Sequence, residues 1–175
     1  SLTNFFSSFG YKIVPLSRDI LNNKSKLEEV LNSTDIVINL AGANIINRWS
    51  ESYKKLLYSS RIDTTSKIVN AISSISNKPK LLISTSAVGI YDNKSIYDEN
   101  GSFSNDFLSN LCQDWEKEAL KAKSEATKVA IFRFGIVMGK DGGALQKMIT
   151  PFKFGLGGTI GSGKQAFSFI HINDL

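Results

Sequence analysis

The chain has 175 residues, of which 42% are hydrophobic and 21% charged, so it is long enough to build one sizeable hydrophobic core. Its apolar runs fall far short of the ~20 residues that a membrane-spanning helix requires, and it opens without a signal-peptide pattern. The net charge of +5 is scattered, without the clustered basic face and interleaved aromatic residues of nucleic-acid-binding proteins. The single cysteine, Cys112, excludes an internal disulfide and fits a reducing compartment. We therefore expect a cytoplasmic protein with no membrane or nucleic-acid partner, and its oligomeric state stays open.

Short apolar segments predict four strands, and apolar residues at helical spacing predict three helices. In chain order these are a strand over 11–16, a helix over 25–31, a strand over 35–40, a helix over 51–76, a strand over 80–85, a helix over 106–123 and a strand over 129–134. The strand segments show little alternation, which is typical of strands buried on both faces of a parallel sheet. Ser50 is the predicted N-cap of the second helix. Strands that alternate with helices predict an α/β fold with a doubly wound parallel sheet.

In such sheets, ligands bind beyond the carboxyl ends of the strands, which directs attention to the residues after each predicted strand. The strand over 35–40 ends in Asn39 and Leu40, followed by Ala41 and Gly42. Small side chains let a ligand phosphate come close to the backbone. The same residues would also suit an ordinary tight turn from strand to loop.

Hydroxyl groups and one arginine are candidate ligand contacts at two other strand ends. Ser84 and Ser86 lie where a strand leaves the sheet, and a hydroxyl there can donate to a substrate carbonyl or alkoxide. Hydroxyls also cap helices and close turns, so a structural role is the alternative. Arg18 follows the first strand segment, where an arginine suits the 2′-phosphate of NADP. A solvated surface arginine is the alternative at that position.

Taken together, these segments resemble the extended short-chain dehydrogenase/reductases. They are most similar to an atypical branch, the nucleotide-sugar-epimerase-like proteins that are often labelled cell-division inhibitors. The resemblance rests on 35–42 (DIVINLAG), 48–49 (RW), 60–62 (SRI), 84–91 (STSAVGIY), 111–112 (LC), 115–116 (WE), 133–137 (RFGIV), 141–143 (DGG), 155–163 (GLGGTIGSG) and 171–174 (HIND). Nothing in these residues supports the cell-division label physically.

The resemblance implies a Rossmann-like NAD(P)-binding domain over residues 1–150, truncated at the N-terminus. The first strand and the glycine-rich phosphate loop of the family would precede the chain. Residues 151–175 would begin a small substrate-side segment.

The resemblance also implies roles for single residues. Residues 39–41 would line the diphosphate or ribose of the cofactor, and Ser86 matches the family serine that polarises the substrate. The wider family has a Tyr-x-x-x-Lys pair, in which the tyrosine exchanges a proton and the lysine assists it. Leu108 and Cys112 occupy those positions here, and leucine cannot transfer a proton. In the atypical branch a cysteine commonly replaces the lysine and an arginine replaces an upstream asparagine, which Arg61 fits. Arg61, Gly42 and Ser84 are therefore expected to bind the cofactor as well, and Cys112 is a candidate catalytic residue.

Two of these candidates carry open alternatives. Cys112 shares an apolar stripe with Leu108 and Trp115, so a buried core thiol is as plausible as a ligand contact. Tyr91, just past the serine segment, is a conceivable substitute for the missing acid.

Other patterns do not make a site. Residues 158–164 nearly match a nucleotide triphosphatase phosphate loop, but Gln165 cannot supply the hydroxyl that binds magnesium. His171 is the sole histidine, and no cluster of ligands has metal-binding spacing, so we expect no metal.

We therefore expect an NAD(P)-dependent reductase or epimerase that acts on a nucleotide-sugar-like or other small carbonyl substrate. NADP is the expected cofactor, with NAD possible. The alternative is a catalytically altered dinucleotide-binding module with a sensing or regulatory role.

Overall fold

The computed structural model describes residues 2–92, 94–140, 143–159 and 161–175. The helices are α1 (Leu2–Ser8), α2 (Arg18–Leu21), α3 (Lys24–Leu31), α4 (Glu51–Ser74), α5 (Phe107–Leu120) and α6 (Gly143–Lys153), and Val88–Ile90 forms a 3₁₀ turn. The strands are β1 (Ile36–Asn39), β2 (Leu81–Ala87), β3 (Lys128–Phe134), β4 (Ile136–Gly139) and β5 (Phe169–His171). None of the helices in the described ranges is both long and apolar enough to cross a membrane.

The chain divides into two compact units. The first comprises Ser1–Ser84 and Lys117–Ala130, and the second comprises Thr85–Glu116 and Ile131–Leu175. The strands β2 and β3 and the helix α5 each run from one unit into the other.

A three-stranded sheet in the order β1-β2-β3 is the frame of the fold. β1 pairs in parallel with β2, in a register that runs from Ile36 beside Leu81 to Asn39 beside Ser84. Parallel pairing brings the carboxyl ends of the two strands to the same edge of the sheet. Asn39 and Ser84, both predicted to face a cofactor, are therefore neighbours at that edge. In the second unit, β4 pairs in parallel with β5.

The core of the first unit lies between α3, α4 and one face of the sheet. It consists of Leu27, Leu31, Val37, Ile68, Val69, Ala71, Ile72, Leu82 and Ala122. Their spacing explains the helices, because residues three and four apart share one helical face. Each fully buried aliphatic side chain contributes about 1.5–3 kcal/mol to folding, so this cluster holds α3 and α4 on the sheet.

The long helix α4 agrees closely with its prediction. The Ser50 hydroxyl accepts a hydrogen bond from the backbone N–H of Tyr53 at 3.2 Å, which confirms the predicted N-cap. The helix ends at Ser74, slightly before the predicted end. There the Lys78 ammonium donates to backbone carbonyls of the last turn, among them those of Ile72 and Ser73, both at 2.9 Å.

Two expectations for the start of the chain were wrong. Residues 11–16 form no strand, because a strand needs a partner for its ladder and no described segment pairs with them. Pro15 also lacks the N–H that a ladder would use. Arg18 does not close a strand either. It is the first residue of α2, whose N-cap is Ser17, and it is exposed.

The expectation that every strand is buried on both faces was also wrong for β1. Val37 and Asn39 face the core, whereas Ile36 and Ile38 on the other face are 44% and 37% exposed. Both faces of the short strand carry apolar residues, so its sequence does not reveal which face is covered.

The burial of α4 can be tested with two adjacent leucines. Leu57 is fully buried, and its replacement by alanine should lower the free energy of unfolding by about 2–5 kcal/mol through lost contacts and a cavity. Leu56 is 48% exposed, and the same change there should cost no more than about 0.5 kcal/mol. Urea denaturation of both variants measures the difference. Equal losses would contradict the burial of this helix face.

Candidate functional site

At the end of β1, the buried Asn39 side chain is fully engaged by the protein. Its Oδ1 accepts from the backbone N–H of Ala41 at 3.1 Å, and its Nδ2 donates to Thr65 Oγ1 at 2.9 Å. The Thr65 hydroxyl in turn donates to the carbonyl of Arg61 at 2.7 Å. Asn39 thus fixes the backbone that follows β1 against α4. Leu40 is half exposed at 53%.

The loop after Asn39 is held by two more residues of α4. The backbone N–H of Ala43 donates to Ser60 Oγ at 2.9 Å, and the carbonyl of Ala43 accepts from Arg61 Nη2 at 3.1 Å. Gly42 lies directly under the Arg61 guanidinium, since a Cβ built there would be 2.9 Å from Cζ. The four predicted residues Asn39 to Gly42 and Arg61 are therefore brought together in the first unit.

Ser84 lies beside Asn39 in the sheet register and is 1% exposed. Among the residues that the structure describes, its hydroxyl oxygen has no hydrogen-bond partner. An unsatisfied buried hydroxyl costs about 1–3 kcal/mol, so such groups in native proteins call for an explanation. A polar ligand at the carboxyl edge of β1 and β2 would satisfy it. The small residues and the orphaned hydroxyl fit a dinucleotide at this edge.

Ser86 repeats this feature two residues farther along β2. It is 4% exposed, and within the described ranges its hydroxyl oxygen also lacks a partner. Successive side chains alternate across a strand, so Ser84 and Ser86 lie on one face of β2.

The positions that match the family tyrosine and lysine lie on α5 and are apolar. Leu108 is half-buried close to Gly89, where an added Cβ would be 3.9 Å from the leucine Cβ. Cys112 is 5% exposed and shares its buried helix face with Leu111 and Trp115. The thiol is therefore packed within the second unit. Its contact with a ligand stays a prediction.

Tyr91 belongs to a cluster around Arg133. The sequence analysis assigned no role to Arg133 or to its partner Glu116. The Glu116 carboxylate accepts two hydrogen bonds from the guanidinium, from Nε to Oε1 at 2.8 Å and from Nη2 to Oε2 at 2.7 Å. Nη1 donates to the Tyr91 hydroxyl at 2.5 Å and to the carbonyl of Glu99 at 2.8 Å. Phe103 packs against the guanidinium, with Cζ 5.2 Å from its ring centre. The cluster fixes the position of the Tyr91 ring.

The groups around the Arg133 guanidinium favour its charged form. Hydrogen bonds from the guanidinium to the Glu116 carboxylate raise the pKa of Arg133 above its already high ordinary value, although partial burial opposes this.

Tyr97 stacks on Tyr91 with ring centres 5.5 Å apart, and its hydroxyl donates to Asp92 at 2.6 Å. That hydrogen bond raises the pKa of Tyr97 and lowers the pKa of Asp92. The signals that could have found the cluster are segments 115–116 and 133–137, which carry the resemblance.

The other residues considered in the sequence analysis do not form a site within the described part of the chain. Lys164 is followed by a loop and then β5, without the helix that a phosphate loop requires, and Ile160 lies outside the described residues. His171 is exposed on β5, where its Nδ1 accepts from the Asn173 N–H at 3.2 Å. Asp141 and Gly142 also lie outside the described residues. Within the described part of the chain, no group of three His, Cys, Asp or Glu residues could hold a metal ion.

A cleft of about 640 Å³ lies in the second unit between α6 and the ends of β4 and β5. Its lining residues are Lys140, Leu145, Gln146, Lys147, Ile149, Thr150, Lys153 and His171. The described lining thus contains three lysines and no acidic side chain, so it favours an anionic ligand.

The Arg133 cluster can be tested through Glu116. Replacing Glu116 by alanine should lower the free energy of unfolding by about 3 kcal/mol, because it leaves a largely buried guanidinium without its carboxylate. Asp35 pairs with Lys80, their side chains are 76% and 81% exposed, and replacing Asp35 by alanine should cost no more than about 1 kcal/mol. Chemical denaturation compares the two variants. A Glu116 variant as stable as the Asp35 variant would show that the ion pair of Glu116 with Arg133 does not hold the cluster.

Comparisons with known proteins place the chain in a family. Residues 10–175 match the family model described as the NAD dependent epimerase/dehydratase family. The chloroplastic epimerase family protein SDR39U1 homolog of Arabidopsis thaliana is 42% identical over 160 residues, which are 89% of this chain and 46% of the relative. The epimerase family protein SDR39U1 of Mus musculus is 44% identical over 147 residues, 81% of this chain and 50% of the relative. The chain therefore spans about half the length of the curated relatives it matches.

Solved structures agree with this placement. The human epimerase family protein SDR39U1 (isoform 2), determined with NADPH, has a TM-score of 0.85 at 35% identity and is matched over 99% of this chain and 62% of its own. The nucleoside-diphosphate sugar epimerase from Corynebacterium glutamicum has a TM-score of 0.71 at 31% identity, over 84% of this chain and 31% of its own. The predicted Rossmann-like α/β fold and the resemblance to atypical extended short-chain dehydrogenase/reductases are confirmed. With a parallel sheet of this kind and a family match over nearly its whole length, the chain belongs to the NAD-dependent epimerase/dehydratase family.

Proposed function

We propose that the protein carrying this chain is a reductase or epimerase that uses NADP, with NAD as a possible substitute. Its substrate is a nucleotide-sugar-like or other small carbonyl compound. The observation that carries the proposal is the pair of buried hydroxyls, Ser84 and Ser86, without partners among the described residues at the end of β2. The human relative determined with NADPH and the Corynebacterium glutamicum relative named as a sugar epimerase support it.

The first unit would hold the cofactor. Residues 39–42 would border its diphosphate or ribose, Ser84 would donate a hydrogen bond to it, and Arg61 stands behind this loop. Arg18 would pair with a 2′-phosphate, because a guanidinium forms charge-assisted hydrogen bonds with phosphate oxygens. When bound, the nicotinamide ring supplies the hydride donor or acceptor of the reaction.

The second unit would hold the reacting carbonyl. The Ser86 hydroxyl would donate a hydrogen bond to the carbonyl oxygen, where negative charge develops during hydride transfer. Leu108 cannot move a proton, so Tyr91 is the proposed proton donor of this unit. Arg133 holds the Tyr91 oxygen by donating to it, which leaves the phenol's own proton to be directed elsewhere. Cys112 would contribute a packed thiol beneath the substrate.

The substrate class is supported by the cleft beside α6. Its volume of about 640 Å³ lies within the range of small-molecule sites, and three lysines line it. Clustered ammonium groups attract phosphate groups, which nucleotide sugars carry.

A dinucleotide-binding module with a sensing or regulatory role is the second candidate. Leu108 and Cys112, at the positions of the family tyrosine and lysine, are the observation that favours it. Such a module would bind the dinucleotide and turn over no carbonyl or sugar-nucleotide substrate.

Cofactor binding decides the first part of the proposal. Titration of the intact protein with NADPH and with NADH, followed by nicotinamide fluorescence, should show tighter binding of NADPH. Arg18→Gln should weaken NADPH binding about tenfold, or about 1.4 kcal/mol, and leave NADH binding unchanged. Arg48 is also exposed, and Arg48→Gln is the matched control that should change neither affinity. Failure to bind either dinucleotide would remove the proposed function.

The role of Ser86 can be separated from its contribution to folding. Ser86→Ala should leave the free energy of unfolding unchanged or raise it by up to about 1 kcal/mol, because it removes a buried hydroxyl that lacks a partner. The same variant should lower kcat/KM about 10²–10³-fold on any substrate that the wild type turns over. Ser109 is the matched control, since its buried hydroxyl donates to the Ile90 carbonyl at 2.6 Å. Ser109→Ala should therefore lower the free energy of unfolding by about 1 kcal/mol. Unchanged turnover in Ser86→Ala would exclude Ser86 from the mechanism.

A further inference from the structure

We propose that Arg61 is a positioning residue that clamps the loop of residues 41–43 and thereby sets the surface offered to the cofactor. It would act through the shape of the loop and would not bind a cofactor phosphate through its own charge. The inference rests on the proposed function insofar as the loop borders the cofactor. The clamp itself concerns only the first unit and can be measured without any ligand.

The guanidinium of Arg61 is directed at backbone carbonyls. Nη1 donates to the carbonyl of Leu57 at 3.1 Å, one turn back on α4, and Nη2 donates to the carbonyl of Ala43 at 3.1 Å. The side chain is half-buried between the helix and the loop. The guanidinium meets the two carbonyls with two different nitrogens of one rigid plane, a geometry that the single nitrogen of a lysine does not reproduce.

Gly42 is the complement of this clamp. The three atoms that an added Cβ would meet all belong to the guanidinium, with Cζ at 2.9 Å, Nη2 at 3.0 Å and Nε at 3.2 Å. The φ angle of Gly42 is not positive, so an alanine could adopt its backbone conformation. Glycine is therefore needed at this position for space and not for backbone freedom. Arg61 fills the space that a side chain would need, since the three atoms nearest to an added Cβ all belong to it.

Other groups make the loop a fixed surface. The Ala43 N–H donates to Ser60 Oγ at 2.9 Å, so both backbone polar groups of Ala43 are bonded to adjacent residues of α4. Asn39 Oδ1 holds the N–H of Ala41 at 3.1 Å at the other end of the loop. The Arg61 guanidinium occupies the space beside Gly42, the residue between these two anchors. Its removal should therefore loosen the middle of the loop and free the Ala43 carbonyl, while the hydrogen bonds to Ser60 and Asn39 remain.

A double-mutant cycle on the intact protein tests the clamp. Gly42→Ala, Arg61→Ala and the double variant are compared with the wild type by their urea midpoints in the absence of cofactor. Gly42→Ala alone should lower the midpoint, and the same change should cost far less once Arg61 is alanine. This non-additivity is the signature of two groups in direct contact. Additive shifts would overturn the clamp.

NADPH titration of the same variants tests the role of the clamp. Arg61→Ala should weaken NADPH and NADH by the same factor, about tenfold, because the loop serves both dinucleotides. Arg61→Lys should behave like Arg61→Ala, since a single nitrogen does not reproduce the rigid contact that Nη1 and Nη2 make with the two carbonyls. Lys55→Ala, which removes an exposed charge from α4, is the control and should change neither affinity. Rescue of binding by lysine would overturn the positioning role in favour of a charge contact.

Ionic strength gives an independent readout. The ratio of wild-type to Arg61→Ala affinity should be the same at about 50 mM and about 300 mM salt, because salt screens exposed charge contacts far more than a backbone clamp. A ratio that shrinks at high salt would show a phosphate contact and overturn the proposal. If the wild type bound neither dinucleotide, the proposed function and this use of the loop would both fall. The urea midpoints would still decide whether the clamp exists.

Discussion

The parallel register of β1 against β2 is the constraint on which the site in the first unit depends. It sets Asn39 beside Ser84 at the carboxyl edge of the sheet and turns Ser84 and Ser86 to the same face of β2. A slip of one residue would reverse every side chain of one strand with respect to the core. Val37 and Leu82, both buried, fix the register, because either would then be turned out of the core. Packing of the core thus determines where the polar groups of the edge lie.

In the second unit the corresponding constraint is a charge that must be kept paired. Arg133 is only partly exposed, so its guanidinium needs acceptors, and Glu116, Tyr91 and the carbonyl of Glu99 supply them. These acceptors come from a helix, the start of a loop and a turn. One cation therefore ties three separate segments to β3. The same arrangement fixes the ring of Tyr91, which lies just beyond the serine segment that the resemblance identifies.

The local features of the fold were predictable from the sequence. The strand over 35–40 and the helix that begins after Ser50 follow from apolar spacing and capping, which are written in neighbouring residues. Residues 11–16 were mispredicted because a strand exists only with a partner, and apolar composition does not supply one. The partners of Arg133 and Arg61 were missed for a related reason. Tyr91 lies 42 positions from Arg133 and Ala43 lies 18 from Arg61, so only the folded chain brings them together.

The open face of β1 has a consequence for handling this chain. β1 is the edge strand of the described three-stranded sheet, and its outer face carries Ile36 and Ile38, with Leu40 just beyond its end, all substantially exposed. An edge strand with available backbone groups and apolar side chains is a template onto which another molecule can add a strand. We therefore expect the isolated chain to associate more strongly as its concentration rises. Light scattering of the isolated chain should rise with its concentration, and a charged residue in place of Ile38 should reduce that rise.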